Sequence, residues 1–132
     1  MTASTTFSQQ KIYSMSYKIV TTYDFAKEAK RLSKKYPSFK SDLGDFISSL
    51  QDNPFQGVEL YKGIRKIRLS IKSKGKGKSG GARVITFNAL VDSKLGSVVL
   101  LLLYDKEETS TVKLSAVKQM VLDLGLPLEQ AQ

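Results

Sequence analysis

Lys66, Arg68 and Lys72 recur at even positions in a stretch where apolar and polar residues alternate, and Arg83 opens a second β-rich stretch. Side chains spaced this way on a strand lie about 7 Å apart, near the phosphate repeat of a single nucleic-acid strand. A guanidinium keeps its charge and holds phosphate through two parallel hydrogen bonds. Arg68, Arg83 and Arg65 are candidate phosphate contacts, with Lys66 and Tyr104 as neighbouring titratable groups.

Charge points to the same class of ligand. Residues 60–91 hold nine Lys or Arg and no Asp or Glu, while the remaining twelve bases match the chain's twelve acids. Such a block concentrates positive potential where a polyanion can dock. Lys62, Arg65, Lys72, Lys74, Lys76, Lys78 and Lys106 are the candidate backbone contacts, three of them in a Gly/Lys/Ser loop over 74–81. Within it, Gly75-Lys76-Gly77-Lys78-Ser79-Gly80 fits the dinucleotide fingerprint by letter. That motif works between a strand and a helix, and here a strand follows, so a cationic hairpin loop is the better reading. With no His and no Cys, the chain lacks the usual neutral-pH acid/base group, a thiolate metal site and any disulfide; no cofactor or metal is expected.

The elements that must position these groups follow from periodicity. Residues 17–22 alternate as a first strand. Asp24 is the expected cap of a helix whose stripe is Phe25, Ala29, Leu32 and Tyr36, ended by Pro37. Ser38 begins a second helix with Phe39, Leu43, Phe46, Ile47 and Leu50 on one side, broken at Asp52-Asn53-Pro54. Strands are predicted over 58–61, 64–72, 82–91 and 98–104, the last apolar at successive positions and so central. A final helix starting near Ser110 or Thr111 buries Leu114, Val117, Val121 and Leu124 before Gly125 and Pro127 stop it. At 132 residues and 41% hydrophobic, the chain suits one domain over 15–126, with a flexible extension at 1–14 and a tail at 127–132. The longest apolar run falls far short of a membrane span and the first residues lack a signal pattern, so a cytoplasmic location is expected.

The runs Gly63-Ile64-Arg65-Lys66-Ile67-Arg68, Lys78-Ser79-Gly80-Gly81-Ala82-Arg83-Val84-Ile85 and Leu103-Tyr104-Asp105-Lys106 resemble the RelE/HigB-type toxins of bacterial toxin–antitoxin pairs, members of the RelE/ParE superfamily. The resemblance covers about residues 17–124. It implies an α+β, RelE-like fold: an antiparallel four- to five-stranded sheet, an N-terminal helical hairpin on one face, and a C-terminal helix. It also implies a metal-independent endoribonuclease that cuts messenger RNA on the ribosome and is neutralised by a helix-turn-helix, HigA-like antitoxin. Such cleavage takes a proton from a 2′-hydroxyl, neutralises the crowded phosphate and returns a proton to the departing 5′-oxygen, with Arg68, Arg83 and Arg65 as the candidate clamp and Lys66 and Tyr104 as candidate proton-transfer groups. Position by position, Lys66 and Arg68 match the family's basic strand, Arg83 its strand-opening arginine, and Tyr104 with Lys106 the segment before its last helix. No Tyr or His follows Tyr104, where several relatives place one near the last helix. Two other readings stand beside this one: a ParE-like inhibitor of DNA gyrase, and an RNA-binding domain that does not cut.

Overall fold

The computed structural model describes residues 16–75, 77, 80–90 and 95–132. The extension expected at 1–14 and the loop lysines Lys76 and Lys78 lie outside the described residues. The order is β1 (Ser16–Thr21), α1 (Tyr23–Lys35), α2 (Phe39–Asp52), β2 (Val58–Tyr61), β3 (Ile64–Leu69), β4 (Ala82–Leu90), β5 (Leu95–Asp105) and α3 (Leu114–Asp123), with short 3-10 turns at Lys72–Lys74 and Leu128–Gln130. This is an α+β fold.

The five strands form one sheet in the order β1-β5-β4-β3-β2. Neighbours run antiparallel except β1 and β5, which pair in parallel from Ser16↔Leu95 to Thr21↔Leu100. The expectation of an all-antiparallel sheet is therefore corrected to a mixed one. Parallel pairing needs a long crossover, and two helices and three strands separate β1 from β5, so nothing local in either strand reveals it.

Apolar stripes place the layers. Phe25 and Leu32 of α1 and Phe39, Phe46 and Leu50 of α2 meet Ile67, Leu69, Val84, Val98 and Leu100 on one sheet face. Val117 and Val121 of α3 cover the other with Ile64, Ile85, Phe87, Val99 and Leu101. Each fully buried side chain of this size contributes about 1.5–3 kcal/mol by leaving water. Sandwiching the sheet between two layers explains why β4 and β5 read as nearly continuous apolar runs. Residues 127–132, expected as a tail, dock on the α3 side: Ala131 is buried, it bridges to Ala89, and the Gln132 amide donates to the Asn88 carbonyl at 2.9 Å.

Several boundaries move from their expected places. Thr22, not Asp24, caps α1, its hydroxyl accepting from the Phe25 amide at 3.0 Å. Asp24 sits in the first turn, where its charge favours the helix N-terminus. β3 ends at Leu69 rather than Lys72. α3 begins at Leu114, and Leu124, expected in the core, is 48% exposed.

Candidate nucleic-acid interface

The site grows from strand register. Arg68 of β3 stands opposite Arg83 of β4, which stands opposite Tyr104 of β5. Opposed residues in antiparallel strands project from one face, so these three form a row across the sheet. Lys66 lies one step along the same face, opposite Ile85. The structure thus brings together Lys66, Arg68, Arg83 and Tyr104.

Tyr104 reaches that row because β5 is irregular. Ile85 faces Leu102 while Thr86 faces Leu100, which leaves Leu101 as an extra residue in β5. Strict alternation from Val98 and Leu100 would aim residue 104 at the two-helix layer, whereas a bulge turns it to the other face. The Leu101 carbonyl at this bulge accepts from the Thr22 hydroxyl at 2.8 Å, and the Leu100 carbonyl accepts from the Thr22 amide at 3.1 Å. One threonine caps α1 and pins the irregularity that aims Tyr104.

Lys66, Arg68, Arg83 and Lys106 line a groove of about 640 Å³ with Gly57, Val58 and Leu60 along its other side. Among the described residues no carboxylate lines it. Gly57 has a positive φ of 79°, and a Cβ there would come within 2.2 Å of the Lys66 carbonyl oxygen, so this wall needs glycine. Arg68 is exposed, whereas Arg83 is 7% exposed and donates from Nη1 to the Ala82 carbonyl at 3.1 Å. Burial pushes the Arg83 guanidinium below its ordinary value and the Arg68 charge pushes the same way, opposed by Tyr104. Two guanidiniums side by side offer paired donors of the geometry that fits one phosphate group. Lys106 is held at the rim by its bond from Nζ to the Ser110 carbonyl at 2.9 Å.

Tyr104 is 6% exposed and sits in the core cluster with Val117 and Val121. Burial raises its phenol above the ordinary value, with Arg83 partly offsetting the rise, so it keeps its proton at neutral pH. It does not line the groove. The structure places it opposite Arg83, buried and outside the groove lining.

Other candidates are occupied elsewhere. Arg65 projects to the side opposite Lys66 and donates from Nε to the Gln56 carbonyl at 2.8 Å, with Glu59 4.0 Å from its Nη1, so it holds the loop before β2 and lies on the other face from Arg68 and Arg83. Lys72 lies past the end of β3 in a 3-10 turn, 3.6 Å from Asp45. Lys62 is exposed in the β2–β3 turn, about 20 Å along β3 from Arg68.

Lys74 is corrected most sharply. Its side chain is 4% exposed, with Nζ 2.6 Å from Asp105, 2.8 Å from Glu107 and 3.0 Å from the Gly80 carbonyl. Asp105, one residue past the expected end of the last strand, is fully buried and also accepts from the Tyr36 hydroxyl at 2.5 Å and the Glu107 amide at 3.0 Å. Burial pushes the Asp105 carboxyl up, but the bonds from Lys74, Tyr36 and Glu107 together take it below its ordinary value. Lys74 therefore fastens both ends of its loop to the end of β5. Sequence reading missed Thr22, Tyr36 and Asp105 as parts of the site's frame. The available signal was the departure from alternation in Val98–Tyr104, a run long enough to hold a bulge.

No model of a known protein family matches this chain, and no curated protein does.

Proposed function

We propose that the chain is the toxin of a toxin–antitoxin pair, an endoribonuclease of the RelE/HigB type that cuts messenger RNA on the ribosome without a metal and inhibits translation. The observation that carries this reading is the acid-free groove in which Arg68 and Arg83 face each other between Lys66 and Lys106. The arginine pair would hold the non-bridging oxygens of one phosphate as its charge grows, each well-placed donor being worth about 10²–10³-fold. Lys66 and Lys106 flank the pair and are the groups available for the two proton transfers. One takes the 2′-hydroxyl proton as that oxygen bonds to phosphorus, and the other protonates the 5′-oxygen as its bond to phosphorus breaks. The products are a 2′,3′-cyclic phosphate and a 5′-hydroxyl.

The RelE-like arrangement of the helical layer, its HigA-like helix-turn-helix partner and a cytoplasmic site of action belong to the same reading. Supporting it are two consecutive helices on one sheet face and a third on the other. No described helix is long and apolar enough to cross a membrane. A ParE-like action on DNA gyrase is disfavoured by the paired arginines in the groove, which suit a single phosphate gripped at close range.

The test is to map message 5′ ends in an active translation extract. Wild-type protein should yield new 5′-hydroxyl ends and arrest growth when expressed, and Arg83→Ala should do neither. Growth arrest with intact messages would reject RNA cleavage, and trapped gyrase–DNA complexes would select the gyrase reading instead.

A further inference from the structure

The groove's two walls are chemically unlike, and the difference carries more than phosphate binding. One wall is cationic; the other, Gln56, Gly57, Val58 and Leu60, carries no charge. Val58 is 63% exposed on the sheet's edge strand, an uncovered apolar side chain directly opposite Lys66. Both therefore project from the face that carries Arg68 and Arg83. The row Val58–Lys66–Ile85 lies two residues along from the row Arg68–Arg83–Tyr104, about 7 Å away, which is one nucleotide step along an extended strand. β2 pairs with β3 only as far as Lys66, so the outer flank beside Arg68 is open while that beside Lys66 is walled by Val58.

Resting on the RNA reading above, we infer that the Val58–Leu60 wall seats the base of a nucleotide flanking the phosphate held by Arg68 and Arg83. The occupant is a nucleobase because a flexible single strand held by its phosphates at Lys66 turns its bases outward, and the groove lining beyond Lys66 presents the apolar side chains of Val58 and Leu60. Contact with the base face rather than its edges makes this subsite tolerant of sequence, because every base has such a face. The wall fixes which phosphate lies between the arginines. A strand held by charge alone could slide.

The probe is a short single-stranded RNA made uncleavable by 2′-O-methylation, compared with the same strand lacking one base at each position in turn, with binding followed by fluorescence anisotropy over a range of salt. Removing the base at one position should weaken wild-type binding about fivefold, the effect of losing a modest apolar contact, and leave the salt slope unchanged. Val58→Thr, which keeps the shape and strand preference of valine, should abolish that difference between intact and abasic strands. Val58→Tyr should tighten the intact strand and leave the abasic one as it was. Equal affinities for all abasic strands, with a steep salt slope retained, would overturn the base subsite and leave the RNA reading standing. Absence of salt-dependent RNA binding by wild-type protein would overturn both.

Discussion

The two sides of the sheet at the end of β5 present opposite solutions to charge. On the Asp105 side, Lys74, Asp105, Tyr36 and Glu107 form a closed cluster in which cation and carboxylate satisfy one another out of water. On the Tyr104 side, one residue earlier in the chain, Arg68, Arg83, Lys66 and Lys106 gather along a groove without a carboxylate among the described residues. Adjacent residues on a strand point to opposite faces, so a single step separates a closed charge network from an open row of cations. The lesson is that a block of cations in sequence is not a block in space. Arg65 and Lys74 are spent on the fold and Lys72 pairs with Asp45 at the surface, while Lys106, outside the acid-free block, joins the groove.

Breaking the closed side should have the largest effect. Lys74→Met strands a buried carboxylate, which costs about 3–5 kcal/mol, read as lost stability in denaturant unfolding. The same side sets the acid response. Because the folded Asp105 value lies below its ordinary 3.8, its stabilisation is fully present above that value and is lost as pH falls through the lower folded one. Melting temperature should thus fall more steeply with acid below pH 4 in wild type than in Asp105→Asn, which has no proton to gain there.

Breaking the open side should spare the fold and remove the activity. Arg68 is exposed, so Arg68→Ala should lower message cleavage about 10²–10³-fold with unfolding free energy unchanged within about 0.5 kcal/mol. A matching loss of stability would show that the arginine belongs to the frame. Thr22→Val sharpens the comparison from a distance. It removes a helix cap, about 0.5–2 kcal/mol, together with the hydroxyl that holds the Leu101 carbonyl, so both stability and cleavage should fall. The smallest effect is predicted at Lys72, whose pair with Asp45 is exposed on both sides. Lys72→Ala should change stability by no more than about 1 kcal/mol and leave cleavage untouched.

Element identity was largely legible. The stripe Phe25, Ala29, Leu32, Tyr36 and the spacing Phe39, Leu43, Phe46, Leu50 define α1 and α2, because a helix repeats its environment every three to four residues. The alternation Ile64 to Leu69 placed Lys66 and Arg68 on one face, and they lie there. The site was legible to the same depth, as residue types on a strand face. Its partner groups were not. Nothing near Lys74 signals Asp105, some thirty residues away, and nothing in Val98–Tyr104 shows which residue would be the extra one.

By itself the sequence determined the elements, the absence of imidazole and thiol chemistry, and the positive block, since periodicity and composition are local properties. The tertiary structure alone decided the parallel pairing of β1 with β5, the face on which Tyr104 emerges, and which cations are neutralised. Those depend on register between strands far apart in the chain, and a shift of one residue in register exchanges the two faces of a sheet.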